Sequence, residues 1–220
     1  MHFPPYKMQI RGQTLWLSPA RCIYWEEMQV LIVSDLHFGK SGHFRKEGIG
    51  VPQKVFQADL HRLFSQIQFF KPISLVVAGD MFHSRSNREM ELFLKWRNDI
   101  SWLPIHLVRG NHDILEPNFY RNASIEVAEE VLKMGDFSFI HDFDPQVQQE
   151  PRQDFVFCGH LHPGIRIRGA ARQSLLLPCF YFSESHAVLP AFSNFSGMYT
   201  VRPHTGDQVF ALVENQVLKL

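Results

Sequence analysis

Five short apolar runs punctuate the chain: VLIV at 30–33, LVVA at 75–78, IHLV at 105–108, FSFI at 137–140 and FVFC at 155–158. Their length and their Val, Ile and Phe content favour strands buried on both faces over helices. Between the first two, QKVFQADLHRLFSQIQFF places Val55, Phe56, Leu60, Leu63, Phe64 and Ile67 at helical spacing. Pro52 stands near the start of this helix and Lys71-Pro72 closes it. A second helix is predicted from Ser86, where Ser86 and Glu89 match a capping box and Met90, Phe93 and Trp96 share a face. Strand, helix, strand, helix, strand is the signature of a parallel α/β core.

From Asn122 to Phe139 a helix is one reading of SIEVAEEVLKMG, but Gly135-Asp136 between two apolar runs favours a hairpin turn. After residue 164 the pattern is all-β: IRIR, SLLLPCFYF, AVLP and QVFALV, separated by Gly, Pro, Ser and Asn. QTLWL and RCIYW near the N-terminus have the same character and are candidates to pair with these late strands. The fold class expected is a mixed α/β sandwich rather than one doubly wound sheet, with residues 1–220 as a single domain.

Composition changes this picture little. Apolar residues make up 45% and charged residues 20% of the 220, with twenty Phe to fill a core. A chain of this size buries roughly 70% of its unfolded surface without staples. No apolar run approaches the roughly 18 residues of a membrane span, and MHFPPYKMQI lacks a signal peptide's apolar region. Cys22, Cys158 and Cys179 are widely spaced and form no CxxC pair, which argues for a reducing, cytoplasmic compartment and against a cysteine zinc site. The formal net charge of zero argues against electrostatic nucleic-acid binding over the whole surface. A locally basic groove is compatible with it, since residues 36–50 hold Lys40, Arg45 and Lys46 against Glu47 alone.

Candidate chemistry sits where the apolar runs stop. They lead in turn into Asp35-Leu-His37, Gly79-Asp80-Met-Phe-His83, Gly110-Asn111-His112-Asp113, His141-Asp142 and Gly159-His160-Leu-His162. Ligands of α/β sheets bind outside the carboxyl ends of strands, so all five groups can converge on one edge. Each fragment alone is a weak signal, but five in order form a strong one. So many ionisable groups are costly to bury without partners, and a pair of metal ions supplies them. Carboxylate, amide oxygen and imidazole without thiolate suit Mn, Fe or Zn. Two such ions about 3.5–4 Å apart clamp a phosphoryl group and activate a bridging water. Asp80, near the middle of the sheet, is the natural carboxylate to share between them.

DLH, GDMFH, GNHD, IHD and GHLH, spanning residues 35–162, together resemble the calcineurin-like metallophosphoesterase superfamily. The resemblance implies two mixed β-sheets flanked by helices and two divalent ions. One metal site would comprise Asp35, His37, Asp80 and His162, and the other Asp80, Asn111, His141 and His160, with Asp80 bridging. His112 would be catalytic rather than a ligand, as proton donor or transition-state stabiliser, a role that imidazole chemistry allows near neutral pH. Asp142 stands where the superfamily commonly has Gly after the histidine of the fourth motif. His83 is either a neighbour that orients a ligand or a surface loop histidine.

DLHFGKSGHFRKEGIGVP, the GDMFHS loop, LPCFYF and LPAFSNFSG are similar to the bacterial DNA-ligase-associated phosphoesterase family. This narrower resemblance implies a manganese-dependent endonuclease of DNA repair. Its expected substrate is single-stranded DNA, its associates a ligase, a helicase and a nuclease, and its reaction the in-line attack of a metal-bridging hydroxide. Lys40, Arg45, Arg85 and Arg109 are candidates to grip flanking phosphates, against the alternative of solvated surface charge. Phe38, His43 and Phe44 are candidates to stack on bases, against a place in the core. His106 and His186 read as structural. A small-molecule phosphoesterase, or a non-catalytic interaction protein on the same fold, are the rival readings.

Overall fold

The computed structural model describes residues 4–40, 54–83, 88–144, 154–169 and 173–220. VLIV becomes β4 (Val30–Val33), LVVA falls in β5 (Ser74–Ala78) and IHLV becomes β6 (Ile105–Val108), all parallel and adjacent. β7 (Ile125–Ala128) adds a fourth parallel strand. Helices α1 (Lys54–Phe70), α2 (Arg88–Asp99) and α3 (Pro117–Asn122) connect them. Apart from His106, the runs are apolar on every residue because they face two cores. Leu31 and Val33 pack with Phe56, Leu60, Leu63 and Ile67 of α1. Val30 and Ile32 face Phe137, Phe139, Phe155 and Phe157 of a second sheet.

α1 stops where expected, with Lys71 in the left-handed region at φ 50° and its N–H donating to Ile67 O at 2.9 Å before Pro72. The cap expected at Ser86 lies outside the described residues. The N-terminal strands β1 (Tyr6–Ile10), β2 (Gln13–Ser18) and β3 (Cys22–Trp25) do not pair with the late strands. They form an antiparallel meander that joins β4 and completes a seven-stranded sheet. Chain proximity decides this, since a tight turn brings Trp25 opposite Val30.

The hairpin at Gly135-Asp136 is present, between β8 (Leu132–Met134) and β9 (Phe137–Phe139). With β10 (Phe155–Cys158), β11 (Pro163–Arg168), β12 (Ser174–Phe182), β13 (His186–Val188), β14 (Tyr199–Thr200), β15 (Gln208–Val213) and β16 (Gln216–Lys219) it builds a nine-stranded mixed sheet. Trp25, whose ring centroid lies 4.5 Å from that of Phe137, is a core residue between the sheets. Among the described residues no helix is long and apolar enough to cross a membrane.

Register places the motifs. Val33 lies opposite Val77 and Ala78 opposite Val108, so the chain leaves β4, β5 and β6 side by side. In the second sheet Phe139 lies opposite Phe157, so the segments after β9 and β10 also emerge together. Asp35 N donates to Gly79 O at 3.0 Å and Gly159 N to His141 O at 3.0 Å, tying neighbouring loops beyond the strands.

Candidate metal centre

Two groups of side chains converge where the strands end. In the first, His162 Nε2 lies 3.2 Å from Asp35 Oδ1 and 3.2 Å from His37 Nε2. In the second, His141 Nε2 lies 3.4 Å from Asp80 Oδ1, 3.1 Å from His160 Nδ1 and 2.9 Å from Asn111 Oδ1. All seven expected ligands thus fall into the two groups, with Asp80 in the second. Burial pushes the Asp80 carboxyl upward, His141 opposes the shift and the charge of Asp35 adds to it. The two groups are therefore close enough for their carboxylates to repel.

The local backbone explains the convergence. Asp35, His37, Asp80, His160 and His162 all take a left-handed φ, between 48° and 64°. For a residue with a Cβ this costs about 1 kcal/mol. Each breaks the extended ladder just past a strand and turns the chain so that successive ligands reach one place. Three glycines make room for them. An ideal Cβ on Gly79 would lie 2.0 Å from His141 Nδ1, on Gly110 2.2 Å from Asp80 Oδ1, and on Gly159 2.4 Å from Asp35 Oδ2.

The donor set fits a pair of divalent cations. His162 Nδ1 is 3.2 Å from Gly197 O, and His141 Nδ1 is 3.4 Å from Ala78 O. A carbonyl oxygen only accepts, so each Nδ1 carries the proton and each Nε2 presents a lone pair. The His141 lone pair then faces Asn111 Oδ1 and Asp80 Oδ1, acceptors meeting acceptors, and a cation among them satisfies all three. Burial, with Lys40 adding to it, pushes the pKa of His37 far below the usual imidazole range, which keeps the ring neutral as a ligand must be.

His112 stands outside both groups. Its N–H donates to Asp80 Oδ1 at 2.9 Å, and its half-exposed ring holds Nε2 4.0 Å from Asp80 Oδ2. His83 is not a remote loop residue: its ring centroid is 4.2 Å from that of His112, and its Nδ1 is 3.4 Å from His37 Nδ1. Half-buried Lys40 lies within the field of Asp35 and Asp80, which counter the loss of basicity that burial imposes on its ammonium. Arg109 turns elsewhere, onto Glu129 at 2.7 Å and onto Asp113 O at 2.8 Å. Phe38 is buried against Phe56 and Phe93 and presents no ring to a base, so the core reading holds for it. Arg45, Arg85, His43 and Phe44 lie outside the described residues. Asp142 Oδ2 comes within 3.9 Å of His160 Nε2. His106 pairs with Glu126 at 2.9 Å, and His186 bonds Ser183 Oγ at 2.7 Å, away from the two groups.

Asp113, the last residue of GNHD, has a role that its motif alone does not reveal. Its buried carboxylate accepts N–H bonds from Phe82 and Gly110, both at 2.9 Å, and so braces the loop after β6 against the loop after β5. Burial pushes its pKa up to about 7, against the two backbone bonds. A carboxyl whose folded pKa lies above its unfolded value stabilises most below the unfolded value, and that contribution is lost as pH rises to the folded one. The stability difference between wild type and Asp113→Asn, measured on metal-free protein by urea unfolding, is therefore expected to shrink from pH 4 to pH 7 and level off above. A flat difference would mean that Asp113 does not titrate there.

Comparison with known proteins agrees with this geometry. Residues 28–144 match the family model described as calcineurin-like phosphoesterase. The crystal structure of Pseudomonas putida nuclease MPE superposes with a TM-score of 0.81 at 28% identity, covering 97% of this chain and 100% of that one. YfcE, a phosphoesterase from E. coli, superposes at a TM-score of 0.47 and 13% identity, over 87% of this chain and 97% of its own. None of the curated proteins matches.

Proposed function

The chain belongs to the calcineurin-like phosphoesterase family and is a metal-dependent phosphoesterase, and from that premise we propose that it cleaves phosphodiester bonds of single-stranded DNA as an endonuclease. One observation carries the hydrolytic part: two groups of convergent carboxylate and imidazole lone pairs lie side by side, with a half-exposed His112 against Asp80. The choice of DNA is supported by the structural neighbour, a nuclease that covers nearly all of this chain, and by the cationic Lys40 beside the carboxylates.

Asp35, His37, Asp80 and His162 would hold one ion, and Asp80, Asn111, His141 and His160 the other, with manganese the proposed metal. When bound, two such ions supply Lewis-acid charge and a water acidic enough to attack phosphorus. The rest falls to this chain's own side chains. His112 Nε2 carries the proton that the leaving oxygen needs, and its backbone bond to Asp80 fixes its place relative to the carboxylate. His83 packs against the His112 ring and restrains it. Lys40 draws a phosphate toward the carboxylate pair.

The deciding assay compares manganese-loaded protein on single-stranded DNA, duplex DNA and a small phosphodiester, with iron and zinc in parallel. Turnover of the small ester without DNA cleavage would leave a small-molecule phosphoesterase. His112→Ala is expected to lower kcat by about 10²–10⁴-fold while metal content stays at the wild-type value. Full activity in that variant would remove His112 from the reaction.

A further inference from the structure

LPAFSNFSG, residues 189–197, has no part in the chemistry above, yet it touches the first ligand group twice. Phe192 N donates to Ser34 O at 2.9 Å and Ser193 N to Asp35 O at 3.1 Å, so the segment holds the backbone of the strained Asp35. Five residues later, Gly197 O is the carbonyl 3.2 Å from His162 Nδ1. Tyr199 N then donates to His162 O at 3.0 Å. One strap therefore bears on two of the three residues of the first group, on the backbone of Asp35 and the side chain of His162, while no bond found among the described residues joins it to Asp80, His141 or His160.

The strap is itself clamped from behind. Arg21, in the turn between β2 and β3, donates through Nη1 to Ala191 O at 3.1 Å and to Ser193 O at 2.9 Å. Arg62, on α1, donates to the carbonyl between them, Phe192 O, and its guanidinium lies 4.3 Å over the Phe192 ring. Asp59 pairs with Arg62 at 2.9 Å and receives the Ser193 hydroxyl. Three consecutive carbonyls are thus capped by two guanidiniums that share one carboxylate. Such a half-buried like-charge pair is costly, and a plain turn can satisfy its carbonyls without it.

We propose that Arg21 and Arg62 are positioning residues for one metal site only, acting through the 189–197 strap to hold Asp35 in place and to fix His162 in the tautomer that presents Nε2. The proposal rests on the binuclear reading and makes the two sites separable. A clamp that only supports the fold would weaken both sites alike.

The test is calorimetric titration of metal-free protein with Mn²⁺. Wild type is expected to take up two ions, and fewer would sink the binuclear reading itself, separately from the clamp. Arg21→Met keeps side-chain volume and removes the donors. One of its two affinities is expected to fall at least about tenfold and the other to stay unchanged. In a His162→Ala background the same substitution is expected to have a smaller effect on that site, since only its action through Asp35 remains, and an undiminished effect would show that the clamp does not act through His162. Two wild-type affinities in folded Arg21→Met, or equal losses at both sites, overturn the proposal. Should Arg21→Met not fold, Ser193→Ala decides, because it keeps the backbone and removes only the hydroxyl that binds Asp59 and Phe195 N. Several-fold weakening at one site supports the clamp, and unchanged affinities reject it.

Discussion

Asp80→Asn is expected to lower phosphodiester hydrolysis by at least about 10³-fold while leaving the fold intact. The side chain is nearly isosteric, and the amide oxygen still accepts the His112 N–H that Asp80 Oδ1 takes at 2.9 Å. What disappears is the charge that Asp80 brings to the second ligand group. Metal content should drop as well, since the acceptor 3.4 Å from His141 Nε2 becomes a neutral amide. Stability should move the other way. Burial and the neighbouring Asp35 push the Asp80 carboxyl upward, so its ionisation works against the metal-free folded state and that penalty grows as pH rises. Metal-free Asp80→Asn is therefore expected to be at least as resistant to urea as wild type at pH 8. Wild-type turnover would show that the site is misassigned; a collapsed fold would show that Asp80 is structural.

Gly79→Ala is the second large effect, and it acts by sterics alone. Gly79 sits at φ +86°, a conformation that alanine resists, and its Cβ would enter the His141 ring at 2.0–2.6 Å. That ring cannot step aside freely, because Nδ1 faces Ala78 O and Nε2 faces Asn111. Overpacking and backbone strain together should cost roughly 3 kcal/mol. For a chain of this length that lowers Tm by about 6–12 °C. The displaced imidazole should also abolish binding at the Asp80, His141 and His160 group. Gly197→Ala is the stability control, since a Cβ there meets nothing within 4 Å. Thermal melts of both variants, with and without Mn²⁺, check this. A Gly79→Ala melt that matches the control would mean the close approach is relieved without cost.

Much of this arrangement is legible in the chain because parallel strands buried on both faces must be apolar throughout and must end abruptly. Two or three residues past VLIV, LVVA and IHLV come Asp35, Asp80 and Asn111, and that break in character marks the sheet edge. The Gly135-Asp136 hairpin was legible for a similarly local reason, as a two-residue loop between apolar runs. The partnership of β1–β3 with β4 was not, because alternating apolar strands carry no label for which of two sheets they join.

Glycines before Asp80, Asn111 and His160 could have signalled close packing, since in three of the five motifs Gly stands directly before a ligand. Asp113 offered the same chance as the fourth residue of GNHD. Arg109, beside the third motif, pairs with Glu129, twenty residues on, which spacing along the chain could not reveal.

By itself, then, the sequence determined which residues are chemically competent and on which strands they end, because ligand type and strand burial are local properties. Only the tertiary structure decided their grouping. Asp35 joins His162, 127 positions away, and Asp80 joins His141, because the registers of two separate sheets bring those loops together. It also decided that five ligands adopt left-handed backbone and that a distant strap is bonded to two of the first group. Such strain and such bonds exist only where packing from several elements holds them, and no single stretch of sequence contains that packing.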